Sequence, residues 1–330
     1  MDKGCRVIET HANENTIDCN SDVSIRDGNR LMTDFTTLLG GIDAGGTTFK
    51  CGIADADGNL IDTFRVPVTT PEETLAQSAS WFGAAGESGA LKSLGIASFG
   101  PVDVDAASAQ YGTILKTPKP GWSGTDLRTF FYETLGLQPV VDSDVNGALA
   151  AEMQLGAAVG ARSAAYITIG TGIGGGIFLN GGFAGRPTHP EFGHIPLRRH
   201  PEDSGFEGGC PFHGDCLEGL ASVTAMRARW GEPKELSPDH PGWAIIADYL
   251  AQACRTLTLT LRLERIVLGG GLMLAPHLLE LVRAEYDRQM AGYLGYLAIP
   301  GQKLILRPGL GDNAGLIGAI LLGQQMKVAE

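Results

Sequence analysis

The chain has 330 residues, enough for two domains of ~150 residues each. Hydrophobic residues make up 43% and charged residues 19%, which excludes a disordered chain, and the net charge of -12 repels phosphate backbones and anionic bilayers. There is no apolar run of about eighteen residues and no secretion signal, so the expectation is a cytoplasmic protein with reduced cysteines and neither nucleic acid nor membrane as partner.

Residues 1–37 are polar, without an apolar period, and read as a disordered or loosely attached extension, with Met32 as an alternative start. They carry more acids than bases, which does not suit a DNA-binding headpiece. From Leu38 the pattern alternates between strand and helix. LLGGIDAG, FKCGIAD and NLIDTFRVP read as strands, and Pro71 with Glu72 and Glu73 opens a helix running towards Gly86. SLGIASFG and PVVDSD are further strands, and DVNGALAAEMQLG is a helix with Asp144 at its N-cap. A second unit begins at Ala164: AAYITIG, a glycine turn, then GIFLNGG. It echoes the first unit and predicts a duplicated domain. The helix from Gly242, strand RIVLGGG, a helix near Pro276, strand LILRP and the helix NAGLIGAILLGQQ complete an α/β chain.

Glycine is used about twice as often as average, at 47 residues, and it is clustered. Asp43-Ala-Gly45-Gly46-Thr47-Thr48, with Lys50 close by, offers amides, hydroxyls and one carboxylate, and reads as a phosphate site in preference to a plain hairpin. Gly170-Thr171-Gly172-Ile-Gly174-Gly175 contains G-x-G-x-x-G, the dinucleotide fingerprint, which requires a helix to open at the third glycine. Here Gly176-Ile-Phe-Leu179 reads as a returning strand, so a phosphate-binding hairpin is preferred to an NAD site. Gly269-Gly270-Gly271 follows a strand and could admit a base or ribose, or be a simple tight turn.

Cys210, His213 and Cys216, with His194 sixteen residues before Cys210, supply four ligands suited to tetrahedral Zn²⁺. The polar segment between them has little apolar surface to order it, so a structural metal would supply that energy. Asp144 reads either as a helix cap or as a base for an alcohol nucleophile. Glu191 and Glu218 flank the metal cluster and read either as sugar ligands or as solvated acids.

In this order these motifs resemble the ROK family of sugar kinases, within the actin-like ATPase superfamily, from about Leu38 to Gly323. Glu191-Phe-Gly-His194 with the metal cluster ending Cys216-Leu-Glu218 is the most specific part. Phe99-Gly100-Pro-Val102, Thr117-Pro-Lys-Pro-Gly-Trp122 and His189-Pro-Glu191 are similar to the fructokinase branch. His213 stands where the family has a thiolate, and Ser143 stands where many relatives have Asn. ROK repressors add a helix-turn-helix, which the acidic extension does not resemble.

The resemblance implies an actin-like (ribonuclease H-like) duplicated fold with an interlobe cleft. The lobes would span 38–144 and 145–330, with the last helix (313–323) packing back on the first. It implies ATP-dependent phosphorylation of a hexose, with D-fructose to fructose 6-phosphate as the expected reaction and Asp144 as base. Asn146, Glu191, His194, Glu218 and Gly100 would hold the sugar. Asp43, Gly45, Gly46, Thr47, Thr48, Lys50, Gly170, Thr171, Gly172, Gly174, Gly269 and Gly270 would hold ATP and Mg²⁺. His194, Cys210, His213 and Cys216 would hold structural Zn²⁺, and a homodimer is implied. Another hexose, or a non-catalytic sugar-sensing regulator, is the alternative.

Overall fold

Two five-stranded sheets are built to one plan. The structure, a computed structural model, describes residues 37–85 and 90–325, all within one unit, Phe35–Glu330. The extension read over residues 1–37 lies outside the described residues, Thr37 apart. The first sheet holds β1 (Leu38–Ala44), β2 (Thr48–Ala54), β3 (Leu60–Pro67), β4 (Leu91–Ser98) and β5 (Val140–Ser143), in the order β3-β2-β1-β4-β5. The second holds β6 (Ala164–Ile169), β7 (Ile173–Leu179), β8 (Gly182–Phe183), β9 (Arg265–Gly269) and β10 (Ile305–Leu306), in the order β10-β9-β6-β7-β8. In each sheet the first strand pairs antiparallel with the second and parallel with the fourth. The repeat expected from the glycine turns is thus a repeat of strand topology.

The helices follow from local chemistry. α1 (Pro71–Ala85) starts on proline with two acids in its first turn, and buries Leu75, Ala79 and Phe82. Their i, i+4, i+7 spacing places them on one stripe against the first core, and burying Phe82 is worth ~2 kcal/mol. α2 (Leu127–Leu135) is capped by Asp126, whose carboxylate accepts from Thr129 N, and ends on Gly136 at φ 70°. The second sheet is packed by α6 (Gly242–Leu261), α7 (Leu278–Met290) and two shorter helices, α4 (Leu217–Ala221) and α5 (Val223–Trp230).

Two helices occupy the middle of the molecule. α3 (Asp144–Leu155) buries every residue from Val145 to Glu152. The closing helix α9 (Ala314–Gln325) packs on the first sheet where side chains are absent: a Cβ on Gly95 would lie 1.9 Å from the Ala319 carbonyl oxygen. α3 packs on the second sheet in the same way, with Gly176 against the Val145 backbone. Buried glycine here is a packing device, since only a bare backbone lets helix and strand approach so closely.

Two local expectations are corrected. Asp144 is not the cap of α3: Ser143 is, with extended backbone (φ -69°, ψ 152°) and its hydroxyl accepting from Asn146 N. The stretch LILRP is a strand only at Ile305–Leu306. Pro300 starts a short helix, α8 (Gly301–Leu304), which takes the leucine before it. The repeat is incomplete at one place: β8 has two residues where β3 has eight. Among the described residues no helix is long and apolar enough to cross a membrane.

Candidate active site

A cleft of about 350 Å³ opens where β1, β6, β9, α3 and the start of α9 meet. Asp43, Lys50, Asp144, Gly269 and Gly270, all singled out from sequence, line it. Asp43 is the half-buried residue near the end of β1, and pairing opposite Lys50 on β2 brings the ammonium 3.7 Å from its carboxylate. Lys50 Nζ also donates to the Asp312 carbonyl at 2.8 Å, tying the turn before α9 to the first sheet. Burial raises the Asp43 carboxyl above its usual range, with Lys50 opposing. Gly315 approaches so closely that a Cβ there would sit 2.6 Å from Asp43 Oδ2.

Asp144 is the first residue of α3, directly after β5. Its Oδ1 accepts from Val145 N at 2.8 Å, while Ser143 carries the capping bond, so Asp144 faces the cleft rather than closing its own helix. Burial first, then the nearby Asp43 charge, push its carboxyl up to about 7. Such a carboxyl is half-ionised near neutral pH, where a base for an alcohol is most effective. Tyr166, Thr168, Met273, Leu274, Arg307, Pro308, Asp312 and Gly315 are also in the walls and were not singled out from sequence. They contribute backbone, rings and stems rather than a motif. Arg307, Pro308 and Asp312 stand beside Gly309 and Gly311, and Tyr166 and Thr168 lie within β6, positions that carry no motif.

The two glycine turns differ in how they are held. Gly45 and Gly46 join β1 to β2, followed by Thr47 and Thr48; Gly46 and Thr47 are exposed, and Gly45 N donates to the Asp43 carbonyl. Lys119 Nζ donates to the Gly46 carbonyl and lies 5.8 Å from the Phe99 ring centre, a cation beside this turn that the sequence reading left unassigned. In the second turn Gly170 N donates to the Gly172 carbonyl, Thr224 Oγ1 donates to the Thr171 carbonyl, and Gly174 packs on Val145. Gly175 lies inside β7 and no helix opens there, which removes the NAD reading.

The sugar candidates sit apart from one another in chemistry. Glu218 Oε2 accepts from Ile173 N at 2.9 Å, bracing the second glycine turn. Glu191 is exposed, with His189 Nδ1 3.7 Å away, and Gly100 approaches the same imidazole. Asn146 is fully buried: its amide donates to Asp142 Oδ1 at 2.8 Å, and its Oδ1 has no partner. Asp142 in turn pairs with Arg186, whose guanidinium also donates to the Val104 carbonyl.

The donor atoms of His194, Cys210, His213 and Cys216 all lie within 4.8 Å of one another. His194 Nδ1 is 3.4 Å from Cys216 Sγ and 3.6 Å from Cys210 Sγ, and His213 Nδ1 is 3.8 Å from Cys210 Sγ. Tetrahedral zinc with ordinary bond lengths separates sulfur and nitrogen by about 3.6 Å, so this donor set fits it. Strand-like bridges Pro196–Cys216 and Cys210–Gly214 fold the loop. Phe192 packs on Gly175 and Gly193 on the Ile173 carbonyl, which sets the cluster beside the second glycine turn.

Residues 39–326 match the ROK family. The fructokinase of Zymomonas mobilis is 44% identical over 297 residues, spanning 88% of this chain and 98% of that one. The fructokinase of Lactococcus lactis is 40% identical, spanning 84% and 93%. Among solved structures, the ROK hexokinase of Thermus thermophilus superposes with a TM-score of 0.73 at 26% identity, covering 89% of this chain and 100% of that chain. The ROK family glucokinase of Streptomyces griseus, solved with glucose and AMPPNP, gives 0.69 at 26% identity, covering 87% and 99%. The chain belongs to the ROK family, and its fold is the two-lobed actin-like ATPase fold of ROK sugar kinases.

Proposed function

We propose that this protein is an ATP-dependent fructokinase that converts D-fructose to fructose 6-phosphate. The observation that carries the reading is Asp144: a carboxylate at a strand end, relieved of capping by Ser143, facing the cleft beside Asp43 with its proton held up to about 7. Similarity to fructokinases over most of the chain supports fructose as the sugar.

In this reading Asp144 accepts the proton of a primary sugar hydroxyl as that oxygen attacks the γ-phosphorus of ATP. Lys50 and the amides of both glycine turns offset the triphosphate's charge, and Gly269 and Gly270 lie against the adenosine. Asp43, a carboxylate on the cleft wall, suits a hard cation; Mg²⁺ bound there would neutralise phosphate charge. Glu191, Asn146 and Gly100 belong to the sugar side. His194, Cys210, His213 and Cys216 would hold Zn²⁺, which orders the loop between Glu191 and Glu218. Residues 38–144 act as one lobe and 145–330 as the other, with 313–323 packed on the first. Closing them excludes water, which would otherwise take the phosphoryl group.

The test is ADP release by the purified protein with ATP across fructose, mannose, glucose and N-acetylglucosamine. Fructose should be turned over fastest. Preference for another hexose would replace the substrate, and sugar binding without turnover would replace the enzyme by a sensor.

A further inference from the structure

Glu152 is a fully buried carboxylate with no Lys or Arg paired to it among the described residues. It is satisfied by backbone amides: Ala157 N at 2.6 Å and Gly309 N at 2.9 Å on Oε2, and Leu310 N at 3.1 Å on Oε1. Three amides on one buried carboxylate is a specific arrangement, since leaving a buried charge unsatisfied is costly. Two of the donors lie 157 and 158 residues away in sequence. They belong to the segment between β10 and α9, whose Arg307, Pro308, Gly311 and Asp312 line the cleft. Gly309 is pressed onto the end of α3: a Cβ there would lie 2.8 Å from Ala157 N and 3.0 Å from Gly156. The Glu152 charge also reaches the cleft, being second to burial in pushing the Tyr166 hydroxyl upward.

We infer that Glu152 is a positioning residue for the nucleotide, holding the 307–312 wall of the cleft through the amides of Gly309 and Leu310. The inference rests on the proposed reading of that cleft as an ATP site. α3 then has two tasks. Its first residue is the base, Asp144. Glu152, eight residues later and about 12 Å along the axis, anchors the wall that faces the nucleotide. One rigid helix sets both positions. Asp312, held by Lys50 through its carbonyl, links the same wall to Asp43.

The test is a comparison of steady-state constants. Glu152→Gln puts an amide donor where a carboxylate oxygen faces backbone N–H groups. KM for ATP should rise about ten-fold, with KM for fructose and kcat within about two-fold. Ten-fold corresponds to ~1.4 kcal/mol, close to the lower end for one hydrogen bond to a charged acceptor. Gly309→Ala keeps the carboxylate but pushes the wall off α3, and should give the same signature if Glu152→Gln does not fold. Calorimetry with AMPPNP in the absence of sugar should show the same loss. Equal rises in both KM values, or no rise in either, would overturn the inference. Absence of ATP turnover in the unmodified protein would instead count against the kinase reading.

Discussion

Gly318 of α9 lies on Gly147 of α3 so closely that a methyl group on Gly318 would fall 1.9 Å from the Gly147 carbonyl oxygen. Gly147 is itself pressed against Ala97 of β4, where its own Cβ would meet the Ala97 methyl at 2.7 Å. Here the helices at the middle of the molecule cross, and no side chain at the crossing can rotate away. Gly318→Ala should therefore destabilise the protein by about 2 kcal/mol or more, read as a lower urea midpoint. Gly83→Ala in α1 is the control, because open space surrounds that position. It should be neutral or stabilising by up to ~1 kcal/mol. Equal midpoints for the two variants would show that the crossing can relax.

Asp144 predicts a rate that depends on pH. A base must be unprotonated, so kcat/KM should rise through about pH 7 and level off above it. Asp144→Asn should lower kcat by about a thousand-fold or more while leaving sugar affinity near its original value. Loss of sugar binding with turnover retained would remove Asp144 from the role of base.

The same carboxyl predicts a stability effect of opposite direction. Its proton is held up to about 7 in the folded chain, against 3.8 for the reference carboxyl. Between those values the folded state binds more protons than the unfolded state, so stability falls as pH rises through the window. The contribution is fully present below 3.8 and lost as pH passes about 7. Asp144→Asn carries no charge to desolvate. It should be more stable than the unmodified protein at pH 8 and nearly equal to it at about pH 3, below both values, as read from denaturant midpoints. An inverted order at pH 8 would mean that the cleft stabilises the charged form.

Much of this site was legible because its chemistry is local. Asp43, Lys50, Gly269 and Gly270 sit where a strand runs into a turn, and the strand pattern places such ends together. The alternation of Gly170–Gly175 with an apolar run sufficed to choose a hairpin over a dinucleotide helix. The cap was misread by one residue because Ser143 and Asp144 are equally good caps, and only the backbone angles at Ser143 decide between them. Arg186 with Asp142, and Glu152 with Gly309, were invisible: each joins residues 44 or more positions apart, and neither spacing carries a period. Arg307 and Tyr166 line the cleft without any motif that announces it.

Ser143 offers a graded test of how the helix start supports the base. Its hydroxyl accepts from Asn146 N at 3.3 Å, and its neighbour Asp142 braces the Asn146 amide. Ser143→Ala should cost about 1 kcal/mol in thermal or chemical unfolding. It should also lower kcat more than it raises KM for ATP, since the first turn of α3 carries Asp144 and not the nucleotide wall. A rise in KM for ATP alone would place the effect elsewhere.

The metal cluster gives the last prediction. His194, Cys210, His213 and Cys216 bring two imidazoles and two thiols to tetrahedral spacing, so protein prepared without chelator should carry about one zinc per chain by elemental analysis. His213 is the exposed member and Cys216 is buried. His213→Ala should therefore weaken zinc retention, while Cys216→Ser should abolish it. The loop has other anchors: Arg199 pairs with Asp215 and donates to the Phe206 and Glu207 carbonyls, and Asp203 holds both Arg229 and Tyr249. Losing the metal should loosen this loop rather than unfold the second lobe, and lower the melting temperature by several degrees, about 1–2 kcal/mol. KM for fructose should rise because the loop carries Glu191, and KM for ATP should rise with it, because Glu218 at the loop's end braces the second glycine turn. Well under half an equivalent of zinc in the unmodified protein, or a Cys216→Ser variant that keeps its zinc, would remove these four residues as the ligand set.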